Sequence, residues 1–432
     1  MKIRPQVLVA GIAGVLLSSG GSRIWAQTVT VGGCAAGAAY STIQAAVDAA
    51  SPGSTVDVCP GNYPEQVLIA KALTLEGIPS NTADAAVILS PSSGVVANAT
   101  SLGNGNSIAA QILVRNADGV NIRNLAVDGS NNGFTECAPI FIGIYYQNAS
   151  GTIGSVATRN QTLNAHLNGC QSGLGIFAES GNGGHSALTV ENSSVRAYQK
   201  NGITGNEPGT KITIRTNAIV GQGPTDGAAE NGIQIGFGAT GQITRNSIID
   251  NVFAPATASA SGILVIGSSN VVILLNTVGT AQGGIVVFSD PSFGPADNAL
   301  IERNTVFGAN SIDGIEVCSN NNRVALNRIS NSLDAAVHLD GSCTSTGNSN
   351  TVVGNVINEA CAGILQGNGT TNNTLTGNTF ANVTHTLLQA DGCSDLVTTP
   401  SGPSVRNGRS IGGRQDIGHA NVGHHNVAPA RP

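Results

Sequence analysis

Charge and aromatic rings are what this sequence has least of. Only 10% of its 432 residues are charged, 3% are aromatic, and there is a single tryptophan and a single methionine. A formal net charge of −6 with scattered Lys and Arg provides no basic face for nucleic acid. So little charge and so few aromatics, with 57 glycines and abundant asparagine, also argue against a compact helical or α/β enzyme. The apolar share of 41% is nevertheless enough for a large core, which excludes general disorder. What remains is a β-rich, repetitive chain.

The first segment reads as an address. Lys2 and Arg4 precede an apolar run from Val7 to Leu17, and small residues lead to Ala26. That pattern predicts a secretory signal peptide over 1–26, too short to span a bilayer, which needs about 20 apolar residues. Its removal takes Trp25 with it, and the expected location is secreted or periplasmic, with no membrane span after cleavage. Export makes the eight cysteines read as disulfides. They fall into sequence-near pairs, Cys34 with Cys59, Cys137 with Cys170, Cys318 with Cys343, and Cys361 with Cys393. Each spacing is about one repeat, so each pair is expected to staple adjacent turns.

The repeat itself has two parts. The first reads Asn-Gly-Ile-Gln-Ile (231–235), Ser-Gly-Ile-Leu-Val (261–265), Gly-Gly-Ile-Val-Val (283–287) and Asp-Gly-Ile-Glu-Val (313–317). The second places an asparagine between apolar residues, at Asn276, Asn304, Asn327, Asn355 and Asn378, every 23 or 28 residues. Asn124, Asn192, Asn217 and Asn246 read as weaker copies. A period in the twenties means a solenoid. Short strands alternating apolar with polar cannot close a core alone, but can if each pairs in parallel with its equivalent one turn on, about 4.8 Å away. Buried asparagines at a bend then need one another as hydrogen-bond partners. The expected fold is therefore all-β, a single parallel β-helix over 55–399. Ser41–Ala50 has apolar residues at helical spacing, so 27–54 is expected to form an N-terminal cap with an amphipathic helix. From 400 to 432 the pattern stops, predicting a disordered Gly/His/Arg-rich tail, in which His419, His424 and His425 could bind a metal weakly.

At Tyr40-Ser-Thr-Ile-Gln-Ala-Ala-Val-Asp-Ala-Ala, Pro60-Gly-Asn-Tyr-Pro-Glu65 and Leu73-Thr-Leu-Glu-Gly77, the chain resembles the start of pectinesterases. With the coils behind it, residues 40–397 resemble the pectin-lyase-like right-handed parallel β-helix superfamily. That resemblance implies the handedness of the coil, a polysaccharide or cell-surface glycan as partner, and calcium if the chemistry is lyase-like. The catalytic segments of pectinesterases are missing. So are the paired aspartates and Gly-His-Gly of polygalacturonases, since Gly184-His185 is followed by Ser186, and the Asp-Pro-His of epimerases, since Asp290-Pro291 is followed by Ser292.

Aligning the coils on their Gly-Ile step places Asp313, Glu316 and Cys318 outward on one strand and His338 and Asp340 on the next, with Glu316 beside His338. Carboxylates with a histidine on a solvent-facing sheet suit acid and base, or hold a cation of unknown identity. Phe134, Phe141, Tyr145 and Tyr146 suit either a sugar-stacking platform or a disulfide-tied loop packed over the coil. Arg245 and Arg303, ahead of equivalent asparagines, suit acidic sugars. Two functions stay open: a lyase or hydrolase on acidic glycans, and a non-catalytic adhesin or glycan-binding protein.

Overall fold

The computed structural model describes residues 27–34, 40–79, 83–255, 257–309, 313–343 and 346–393. The expected signal segment and the expected tail lie outside them. The described chain winds as a parallel β-helix. Its strands collect into one sheet of 13 and another of 22, every strand pairing in parallel with its equivalent in the next turn except at Ala99–Thr100, which pairs antiparallel with Ser107–Ile108. Most turns contribute one strand to the smaller sheet and two to the larger; in the last three the two larger-sheet strands run together as Arg328–Leu339, Val356–Gln366 and Thr379–Gln389. In an earlier turn the three strands are Thr240–Thr244, Ser247–Phe253 and Ser261–Ile266. Inward residues stack in register, as in Ile203, Ile233, Ile263, Ile285 and Ile315, and form one continuous buried core.

The corner after each strand of the smaller sheet is built from two residues. Arg245, Leu275, Arg303 and Leu326 adopt left-handed backbone with φ of 55–59°, and each is followed by a buried asparagine. The asparagines at 217, 246, 276, 304, 327, 355 and 378 form a ladder, each Nδ2 donating to the next Oδ1 at 2.9–3.1 Å. Asn124 and Asn192 do not join it. They occupy the left-handed position one residue earlier, with φ of 56° and 49°, because asparagine tolerates that backbone as well as the ladder site. A second, shorter ladder of Asn322, Asn350 and Asn373 stands at the other end of the same strands.

The N-terminal end is closed by the helix Ile43–Ala49, which buries Ile43, Ala46 and Val47. Thr42 caps it through Ala45 N, and Glu65 accepts from Ile43 N at 2.7 Å and Gln44 N at 2.9 Å. The Gly-x-Tyr-x-Glu segment is thus architectural: Tyr63 donates to Cys59 O and Glu65 satisfies two orphan amides of the helix start. The cap region also supplies the first sheet strand, Thr28–Val31, paired with Ser54–Val58. All four expected disulfides are present, joining Cys34 to Cys59, Cys137 to Cys170, Cys318 to Cys343 and Cys361 to Cys393.

Candidate functional site

The third strand of each turn sends every second side chain away from the axis. In register these are Leu113, Tyr145, Phe177, Thr204, Gln234, Leu264, Val286, Glu316, His338 and Leu365. The sequence places this face in solvent, yet all of these side chains are buried. The difference lies in the connections between strands, which fold back as a roof. Over the middle turns Phe237 and Phe293 meet edge to face at 4.6 Å and pack with Leu264, Ile266 and Val286. Around Glu316 and His338, the Cys318–Cys343 bridge ties the next connection to the strand beneath.

Near the N-terminal end the roof is the stretch 101–103, and Glu179 holds it. Its carboxylate accepts from Ser101 Oγ at 2.6 Å, Leu102 N at 2.8 Å, Gly103 N at 3.0 Å and the Tyr145 hydroxyl. A Cβ at Gly103 would meet the Glu207 carboxylate and have to push it aside. Tyr145 stacks on Phe177 at 5.2 Å, and burial together with Glu179 pushes its hydroxyl pKa far up. Tyr146 points into the core and donates to Val120 O. Neither tyrosine offers a ring to solvent. Phe134 and Phe141 pack with Val95 and Ala109 beside the Cys137–Cys170 bridge, the loop-packing arrangement of the two that the sequence suits.

Between this roof and the sheet lies a partly open pocket of about 50 Å³. Leu174, Phe177, Ile108 and Ile140 supply its apolar wall, and Ser101, Asn104, Lys200, Asn201, Asn206 and Gln234 its polar one. Side-chain amides run along it in relay. Asn231 donates to Asn201 at 3.0 Å, Asn201 to Gln234 at 3.2 Å, and Gln234 to Asn206 at 3.1 Å. The buried Thr204, in register between Phe177 and Gln234, has a hydroxyl with no hydrogen-bond partner.

Lys200 and Glu230 are the functional-looking residues that sequence reasoning passed over. Each directly precedes an Asn-Gly-Ile step, and Asn201 pairs with Asn231, so they sit at equivalent positions one turn apart. Opposite charges at matched repeat positions were the available signal. Lys200 Nζ donates to Ala229 O at 2.9 Å, and both oxygens of Glu230 accept from Gln222 N, at 3.1 and 3.2 Å. Burial brings the lysine down to about 7 and pushes the glutamate up to about 9. Folded Glu230 thus keeps its proton where an unfolded chain, with the ordinary value 4.5, has lost it. Its stabilisation is complete below that value and is lost as pH rises towards 9. Lys200 adds nothing to the slope below about 7, where it is protonated in both states. Glu230→Gln, which copies the protonated shape, is expected to remove a decline of about 2 kcal/mol between pH 5 and 7. Denaturant titrations at the two pH values check this; a flat wild-type profile would show the pair is ionised.

Asp313, Glu316 and His338 do come together. Glu316 pairs in register with His338, and one donor atom from each of the three lies within 4.8 Å of the others. Asp313 Oδ1 accepts from Ala335 N at 2.9 Å, and Oδ2 lies 2.9 Å from His338 Nδ1. Exposures of 0, 3 and 0% put the cluster under the roof, not in an open groove. Asp340 is elsewhere employed: its carboxylate accepts from Ser342 N and its carbonyl from Thr346 Oγ1, shaping the connection that follows its strand. Arg245 and Arg303 are exposed at the asparagine corner, where they flank the ladder and belong to a different corner of the coil from the roofed face.

Coil, register and ladder define a right-handed parallel β-helix protein. Residues 229–413 match the family described as periplasmic copper-binding protein (NosD). No curated protein matches the chain. Among solved structures, the A-module of the Azotobacter vinelandii mannuronan C-5 epimerase AlgE6 is similar, with a TM-score of 0.56 and 18% identity, covering 81% of this chain and 93% of that one. The Eubacterium ramulus lacto-N-biosidase has a TM-score of 0.54 at 12% identity, covering 84% and 68%. The Dettilon tailspike protein has a TM-score of 0.53 at 15% identity, covering 78% and 62%.

Proposed function

We propose that this protein is an exported glycan-binding protein that holds a polysaccharide at the mouth of the pocket between the 101–103 roof and the third-strand sheet. The observation that carries the reading is the pocket at 174–234, where an apolar wall with Phe177 faces a relay of side-chain amides. Sugars present that combination, an apolar C–H surface edged with hydroxyls. Similar structures named for mannuronan and lacto-N-biose chemistry agree with a carbohydrate ligand, and four disulfides agree with the periplasm or the cell exterior. Burial of Asp313, Glu316, His338 and Asp340 speaks for binding over turnover, since a polymer would have to displace the roof to reach them. Arg245 and Arg303 would add contacts to acidic sugars only for a glycan that wraps to the asparagine corner.

The test is retention on immobilised pectin, polygalacturonate, alginate and glycosaminoglycans, with and without calcium, alongside assays for unsaturated products and new reducing ends. Retention without product is expected on at least one polymer. Gln234→Ala with Asn206→Ala should weaken it at least tenfold while the circular dichroism spectrum stays unchanged. Wild-type protein that passes every polymer unretained would overturn the reading, and product release would replace binding with catalysis.

A further inference from the structure

Glycan binding leaves the Asp313–Glu316–His338 cluster unused. Two carboxylates and an imidazole are drawn from successive turns into one buried spot, their donor atoms within 4.8 Å. Taking two carboxylates out of water side by side is unfavourable unless positive charge accompanies them. Asp313 is fixed at both oxygens, by Ala335 N and by His338 Nδ1. A carboxylate that fixes one imidazole nitrogen sets the tautomer and directs the other nitrogen to a metal, the arrangement common behind metal-binding histidines. We propose that His338 and Glu316 ligate a divalent first-row transition ion, with Asp313 as the positioning residue that orients the imidazole.

The donor chemistry narrows the ion. One imidazole with carboxylates suits zinc, manganese, iron(II) or copper(II). Calcium takes six to eight oxygens and gains nothing from a ring nitrogen. Copper(I) selects thiolate and thioether sulfur, yet all eight cysteines are in disulfides and the only methionine is Met1. The copper in the matched family's description therefore fits this cluster as copper(II) and not as copper(I). With the cluster buried, loading belongs to folding, when binding energy adds to stability.

The full chain is unfolded with its disulfides intact, stripped with chelator, refolded with zinc, desalted and analysed by elemental mass spectrometry. About one equivalent per chain is expected to remain. A triple variant of the tail, H419A with H424A and H425A, should keep that equivalent. His338→Ala and Glu316→Gln should lose it, and Asp313→Asn should weaken affinity roughly 10–100-fold. Circular dichroism confirms that each variant has folded. If a variant does not fold, competition on the wild type decides: copper(II) displaces zinc, and a hundredfold excess of calcium does not. The proposal is overturned if refolded wild type retains no metal, if the equivalent disappears with the tail histidines, or if calcium displaces zinc.

Discussion

Asn304→Ala is expected to cost about 3 kcal/mol of stability, as is the loss of any other interior rung of the ladder. Asn304 Oδ1 accepts from both the backbone N and the side-chain Nδ2 of Asn276, at 2.9 and 3.0 Å. Its own Nδ2 donates to Ile273 O at 2.9 Å and Asn327 Oδ1 at 3.1 Å. Truncation strands the Asn276 amide in a place water does not reach, and an orphaned buried donor carries its full desolvation penalty, about 1–3 kcal/mol. Asn378→Ala should cost less, about 1 kcal/mol, since that residue is only partly buried and has no further rung to donate to among the described residues. Denaturant midpoints at constant m-value measure both. Equal losses at the two positions would show that the amides act independently of their place in the ladder.

Glu179→Ala should couple a loss of stability to a loss of function. The carboxylate collects donors from Ser101, Leu102, Gly103 and Tyr145, and no substitution that removes it leaves them satisfied. The expected loss is about 3 kcal/mol, with hydrogen bonds to charged groups at about 1.5–3 each and partial rehydration of the released loop offsetting the rest. Because Ser101 and Asn104 form part of the pocket wall, glycan retention should fall with it. Ser101→Ala removes one of these donors and should cost only about 1 kcal/mol while leaving retention near wild type. The pair of variants separates a roof that must be held from a hydroxyl that must touch sugar. If Glu179→Ala folds and still binds as wild type does, the pocket at 174–234 is not the site.

Much of this architecture was legible because the repeat is spelled out at fixed offsets. Gly-Ile steps, corner asparagines and sequence-near cysteines each report a local constraint that recurs, so the coil, the ladder and the bridges follow from spacing. The capping helix was readable from the apolar spacing within Ser41–Ala50. Asn124 and Asn192 show where spacing misleads: the two residues of the corner both accept asparagine, for different reasons, and a one-residue shift exchanges hydrogen bonding in a ladder for tolerance of positive φ. The roof was not legible at all. Alternation tells which side chains leave the axis, but not whether a connection of irregular length returns to cover them. Hence Glu316 and His338 were correctly placed side by side and incorrectly placed in water. Tyr145 escaped for a similar reason, since its partner Glu179 is 34 residues away and reaches it only through the register of two coils.

The ladder has a direction, since each interior amide donates forward and accepts from behind, and every interior rung is chemically the same as the next. A whole turn could therefore be spliced in or out between two rungs, and the amides on either side would rejoin as before. An insertion within the corner itself would break the relay. Such a scaffold works like a ruler cut in identical divisions: its span along a polymer can be altered by changing how many times one instruction is repeated, with no new core to design.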